Sequence, residues 1–333
     1  MAYKNIKLSG ENLNLLRCPV CGMALSVADV HLDCANPECG AQFPIVDGVP
    51  ILINDHNSVF SIDDFAQGRA TFFDTRPRGW AARTMQRLTP SLIANIKGKA
   101  NYARLAELLL EQSDAPRVLV LGGSIEGIGM EPLIERKEIE LVDTDVAFGP
   151  RTKIICDAHD IPFADSSFDG VVAQAVLEHV ADPYRCVEEI HRVLKDDGLV
   201  YAETPFMQQM HGAPYDFTRF TIQGYRRLFR RFEEIDCGVC TGPGMALGWA
   251  YKYFMLSLVR GRVARKLMEL FVHFTAWHLK YFDRVLVNRP FAVYGASGYH
   301  FLGAKSDRTA TDQEIVDRFR ESSPAGSNTP GSR

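Results

Sequence analysis

The chain has 333 residues, 46% of them hydrophobic and 23% charged, with a formal net charge of -4. This is a globular composition with room for one large domain or two smaller ones. The mildly acidic balance, with no basic stripe, argues against a nucleic-acid partner, and the polar start Met1–Gly10 lacks the apolar core of a secretory signal, so an intracellular location is expected. Eight cysteines in such a chain point to metal or thiol chemistry, not to disulfides.

In chain order, the first informative element is a cysteine cluster. Cys18-Pro-Val-Cys21 is a C-x2-C knuckle and Cys34-Ala-Asn-Pro-Glu-Cys39 a C-x4-C knuckle. Each places two sulfurs on one side of a tight turn, and together they close the tetrahedral set that Zn²⁺ takes in structural sites. Gly22 and Gly40 follow the second cysteine of each knuckle, where a positive φ is often needed. Ligation by Cys18, Cys21, Cys34 and Cys39 leaves no open position, so the expected zinc is structural. Phe43–Ile53 predicts two short strands around an Asp47-Gly48 turn. Residues 1–55 resemble the zinc-ribbon proteins that partner tRNA and protein methyltransferases, and the N-terminal ribbon of ribosomal-RNA guanine methyltransferases. In the latter one ligand is commonly His, where Cys39 stands here.

Residues 56–112 read as a linker and helical cap, ending in a helix over Tyr102–Gln112. Apolar runs then predict five strands, at Arg117–Leu121, Glu138–Val142, Lys153–Cys156, Phe168–Ala173 and Gly198–Ala202. The helical spacing between the last two makes a βαβ unit and hence a parallel sheet. A Gly-rich turn, Gly122 to Gly129, follows the first strand. Asp143-Thr-Asp145, Asp157-Ala158 and Gln174-Ala175 end the next three. Strand ends of this kind are where open α/β sheets bind ligands.

The stretch Ile155–Pro205 contains, in order, Asp157-Ala158, Pro162-Phe163, Ser167-Phe168-Asp169, Leu177-Glu178-His179 and Arg192-Val-Leu-Lys195 with a following Gly198. It resembles the class I S-adenosylmethionine-dependent methyltransferases, in their type 11 small-molecule branch. The resemblance implies an α/β Rossmann-like sheet of seven strands, six parallel and one antiparallel, over residues 113–306. It also implies S-adenosylmethionine as cofactor. Gly122, Gly123, Ser124 and Gly127 would form the turn beside it, Asp145 would take the ribose with Asp143 as rival, Asp157 and Ala158 would meet the adenine, and Gln174 would lie near the methionine part. Val120 stands where the family commonly has an acid, and Ser124 replaces a Gly.

After the fifth strand the loop Gln208–Thr221 is dense in chemical groups. His211 is the first candidate for a general base, Asp216 accompanies it, and Arg219 is a candidate for holding an anionic acceptor. Phe232–Cys240 predicts the sixth strand and Gly298–Ala304 the seventh. Between them residues 242–297 form an insertion of apolar, aromatic-rich helices around the cationic turn Arg260–Lys266. It reads either as a lid or dimerisation hairpin packed on the domain, or as a surface for the membrane interface, the latter implying a lipid-linked acceptor. Residues 307–333 read as disordered. The leading expectation is methyl transfer, O- or N-, to a small-molecule, sugar or lipid-linked acceptor. The alternatives are a ribosomal- or transfer-RNA methyltransferase and a non-catalytic binding domain.

Overall fold

The computed structural model describes residues 6–69, 71 and 88–322. Its strands are β1 Leu25–Val27, β2 His31–Cys34, β3 Gln42–Val46, β4 Val49–Leu52, β5 Arg117–Leu121, β6 Glu140–Asp145, β7 Ile154–Cys156, β8 Phe168–Gln174, β9 Leu194–Pro205, β10 Phe232–Thr241 and β11 Gly298–Lys305. They form one sheet in the order β1-β2-β3-β4-β7-β6-β5-β8-β9-β11-β10. The centre of the sheet is buried on both faces, which is why β5 and β8 read as continuous apolar runs and not as alternating ones. All pairings from β4 through β9 are parallel, and β11 runs antiparallel between β9 and β10. Chain order reverses between β5 and β8, so their carboxyl ends open a crevice at the switch point.

The seven expected strands are β5 to β11, but the sheet does not stop at seven. Eleven strands are continuous among the described residues because the ribbon is joined to the sheet edge. Asp47 and Gly48, both at positive φ, turn β3 back into β4. The wholly buried β4 then lies parallel to β7, with Ile51 opposite Ile155 and Leu52 opposite Cys156. A three-residue edge strand with exposed ladder groups is a liability, and β4 covers it. Val49, Ile51, Ile53, Phe60, Phe65 and Ile155 pack there as one cluster.

Of residues 56–112, a short helix Ile62–Ala66 and a long one, Gly98–Gln112, are described, while residues 70 and 72–87 lie outside the described set. The expectation of disorder from residue 307 is corrected: Asp312–Ser322 is a helix. Thr311 and Glu314 form a reciprocal capping box at its start, with Glu314 N–H donating to Thr311 Oγ1 at 3.2 Å and Thr311 N–H donating to Glu314 Oε2 at 2.8 Å. Ile315 is buried, and Arg227 reaches Asp312 at 3.0 Å. Residues 323–333 lie outside the described set.

The insertion contains helices Pro243–Ser257, Arg262–Ala276, Leu279–Leu286 and Ala292–Gly295. None of the described helices is long and apolar enough to cross a membrane. A fully buried carboxylate, Asp283, ties the first helix to the third by accepting Gly244 N–H at 2.7 Å and Met245 N–H at 2.8 Å. Gly244 has no room for a side chain, since a Cβ would stand 2.3 Å from the Leu279 carbonyl oxygen. Asp283→Ala strands two buried donors at a helix N-terminus, and is expected to lower Tm by roughly 5–10 °C. Thermal denaturation followed by circular dichroism measures it, and an unchanged Tm would remove Asp283 as the tie.

Candidate cofactor and acceptor site

The turn after β5 is shaped by what it must pass. Gly122 has φ +71°, and a Cβ there would meet Val176 at 2.6 Å. Gly123 N–H donates to the Thr144 carbonyl at 2.8 Å, and Ser124 N–H donates to Asp145 Oδ2 at 2.9 Å. The acid at the end of β6 therefore fastens the turn as well as facing the crevice. Burial pushes the Asp145 carboxyl up, against the Ser124 N–H, which pulls it down. Its rival Asp143 is spent on Arg151, whose Nη2 lies 2.9 Å away, and is absent from the crevice wall. The sequence alone left the two open; the structure turns Asp145 toward the cavity.

That cavity, about 90 Å³, is lined by Asp145, Asp157, Ala158, Gly122, Phe60 and His179 among others. Asp157 accepts from His159 N–H at 3.0 Å, from the His159 ring and from the Ser58 hydroxyl. Burial works to raise its carboxyl, and the His159 ring beside it holds it below the ordinary value. An adenine amino group would thus meet a carboxylate already oriented by donors on both oxygens, with room left for a further hydrogen bond. Sequence reasoning missed Ser58 because it comes from the chain just after the ribbon and carries no local motif.

A second cavity, about 320 Å³, adjoins the first and shares Leu121, Gly122 and Ala175 with it. Its polar wall includes Gln174, Glu178, Glu203, Gln208 and His211. Gln174 Nε2 donates to Glu203 Oε2 at 2.7 Å and to the Ile128 carbonyl at 3.0 Å. Gly127 packs directly against this side chain, and a Cβ there would fall 2.0 Å from Gln174 Oε1 and displace the amide. Glu203 is buried and also accepts from Asn95 Nδ2 at 2.9 and 2.8 Å and from the Tyr201 hydroxyl. Neither Glu203 nor Asn95 was singled out by sequence; the acid after a strand-five run was the available signal for the first.

The loop groups divide. His211 faces the second cavity. Asp216 does not: it accepts His211 N–H at 2.7 Å and binds the Arg219 guanidinium, with Nη2 at 2.8 Å. Arg219 beside it holds its carboxyl low against the opposing effect of burial. Asp216 thus orients the loop through His211 and Arg219, and Arg219, also bonded to the Gln208 carbonyl at 3.1 Å, shares that task.

At the far end of the sheet the four cysteine sulfurs lie within 4.8 Å of one another, with Cys18–Cys39 at 3.9 Å and Cys21–Cys34 at 3.3 Å. Sulfurs about 2.3 Å from a tetrahedral ion stand about 3.8 Å apart, so the set fits a metal. Gly22 and Gly40 have the positive φ expected of them.

Residues 134–202 match a family described as a methyltransferase domain. Among curated proteins the chain is 40% identical over 58 residues to the mitochondrial arginine-hydroxylase NDUFAF5 of Rattus norvegicus, covering 17% of this chain and 16% of that protein. It is 35% identical over 78 residues to the ubiquinone/menaquinone biosynthesis C-methyltransferase UbiE of Citrifermentans bemidjiense, covering 23% of this chain and 33% of that one. The matched part thus spans a third or less of either relative. Among solved structures, phosphoethanolamine N-methyltransferase 2 of Haemonchus contortus with S-adenosyl-L-methionine aligns at TM-score 0.38 and 14% identity, over 64% of this chain and 57% of that one. At that score the alignment adds nothing to the sheet order itself.

Proposed function

We infer that this chain, whose residues 134–202 belong to a methyltransferase domain family, binds S-adenosylmethionine and transfers its methyl group to a small acceptor. The observation that carries the reading is the pair of cavities joined at Leu121, Gly122 and Ala175, over the switch point between β5 and β8. The first suits the adenosine part, with Asp145 toward the ribose and Asp157 and Ala158 on the adenine side. The second suits the methionine part and the acceptor, with Gln174 and the Gly122–Gly127 turn between them.

The cofactor supplies an electrophilic methyl group on a sulfonium; the protein's share is alignment and the exclusion of water. Glu203, held by Gln174 and Asn95, fixes part of the polar wall of the second cavity. The cysteine set at the sheet edge would hold a structural Zn²⁺ away from the reacting atoms.

The acceptor is read as amphiphilic. The insertion lends Met245 to the second cavity. It also exposes a stripe at helical spacing, Val263, Leu267, Leu270, Phe271 and Phe274, beside Arg262, Arg265 and Lys266. Exposed apolar side chains rimmed by cations suit an anionic bilayer surface. A relative named for ubiquinone/menaquinone biosynthesis accords with such an acceptor. Calorimetric titration is expected to show S-adenosylmethionine binding, and no heat at millimolar cofactor would overturn methyl transfer. In flotation, vesicles of phosphatidylglycerol with phosphatidylcholine are expected to carry the protein upward, and phosphatidylcholine alone far less. Protein left at the bottom with both removes the lipid-side acceptor.

A further inference from the structure

Glu178 is fully buried, and neither of its carboxylate oxygens receives a hydrogen bond. An ionised carboxylate in that condition is costly unless something of opposite charge satisfies it. Two ring nitrogens face it: His179 Nε2 and His211 Nε2 each lie 3.7 Å from Glu178 Oε1. That is too long for a hydrogen bond. It is close to the spacing of ligands around one ion, since donors about 2.1 Å from a tetrahedral centre stand about 3.4 Å apart.

The opposite nitrogen of each ring is anchored on the main chain. His179 Nδ1 meets the Tyr215 carbonyl, and His211 Nδ1 meets the Gln209 carbonyl at 3.2 Å. An Nδ1–H donated in this way turns the lone pair of Nε2 toward Glu178, the arrangement that orients metal-ligating histidines. Arg219 Nη2 lies 3.2 Å from the same His211 nitrogen, but its donors are accepted by Asp216 and by the Gln208 and Gln209 carbonyls. The three ligand atoms lie within 4.8 Å of one another.

We propose that Glu178, His179 and His211 bind a divalent first-row cation whose remaining coordination positions open on the acceptor cavity. Glu178 and His211 line that cavity, and His179 lines the adjoining one. Two imidazoles and one carboxylate with open positions suit Mn²⁺, Fe²⁺ or Zn²⁺ better than the all-oxygen preferences of Mg²⁺ and Ca²⁺. The acceptor class that follows carries two neighbouring oxygens, a hydroxyl beside a hydroxyl or a carbonyl, able to chelate. His211 then holds the cation and is not the group that takes a proton. The acceptor class rests on the methyl-transfer reading; the cation site does not.

The test is titration of the full-length protein with Mn²⁺, followed by the electron paramagnetic resonance signal of the free ion. Mn²⁺ is chosen because the thiolates of the cysteine cluster favour softer ions. One saturable site per chain is expected. Glu178→Gln and His211→Ala are each expected to weaken it at least about tenfold, with circular dichroism confirming the fold; His211→Gln serves if either fails to fold. No saturable site in the parent protein, or undiminished binding in the folded variants, overturns the proposal. Cofactor titration on the same samples separates the two readings: Mn²⁺ binding without S-adenosylmethionine binding overturns methyl transfer alone, and the reverse overturns the cation site alone.

Discussion

Replacing Cys18 and Cys39 with serine is expected to weaken S-adenosylmethionine binding at least about tenfold, although the cofactor cavity contains no cysteine of the cluster. The link is physical. The ribbon ends in β4, which is the parallel neighbour of β7, and β7 carries Asp157 immediately after its last residue. The chain continues through Asn54, whose Nδ2 donates to the Pro19 carbonyl at 3.2 Å, into Ser58 on Asp157 and Phe60 on the cavity wall. A structural metal held by the four cysteines would contribute roughly 10 kcal/mol or more to such a module, so the module is expected to lose its shape when the ligands are removed. Losing it bares the β7 edge and the apolar cluster around Ile51 and Phe65. Calorimetry and thermal denaturation of the double variant, or of chelator-treated protein, measure the effect. Unchanged cofactor affinity after verified metal loss would show that the ribbon and the cavity are independent. Ser58→Ala isolates the contact, with an expected loss of about 1–2 kcal/mol in binding.

Asp145→Asn is expected to weaken cofactor binding by roughly 10- to 100-fold, while Asp143→Asn leaves it within about threefold. Asp145 accepts Ser124 N–H and faces the cavity, so the amide loses charge both for the glycine turn and for ribose hydroxyls. Asp143 is paired with Arg151. Its loss is expected to appear in Tm and not in affinity. Equal effects of the two substitutions on affinity would undo the assignment. The comparison is direct because the two acids are two residues apart on the same strand.

Much of the sheet was legible because its signals are local. Arg117–Leu121 is a strand with the expected bounds, and β10 and β11 fall within a residue of expectation although the insertion separates them. The helix at Asp312 was legible too, in Thr311-Asp-Gln-Glu314, but a Ser- and Pro-rich composition outweighed a four-residue cap. β9 extends past its apolar run at both ends, back to Leu194, which pairs with Phe168 of β8, and on to Pro205, which pairs with Gly298 of β11.

The site was legible in parts. Knuckle spacing alone points to the four cysteines, and the structure brings them within ligating reach of one another. Acids after successive strands pointed to Asp145 and Asp157, but not to which acid is already satisfied. Asp216 and Arg219 looked chemical and prove to be each other's partners. Glu178 stood in the sequence only as part of the Leu177-Glu178-His179 motif, and the meaning of its burial appears only when His211, thirty-three positions on, is folded against it.

By itself, the sequence determined the α/β class, the seven strands β5 to β11 and the cysteine knuckles, since each of these is written in periodicity or spacing over a few neighbouring residues, while the motifs of the central segment carry its resemblance to a methyltransferase domain. Only the tertiary structure decided that the ribbon is part of the sheet, that Asp145 and not Asp143 faces the crevice, and that Glu178, His179 and His211 converge. Those facts depend on which buried polar groups find donors from distant segments, and a buried group's partners are set by the packing of the whole chain and not by its neighbours in sequence.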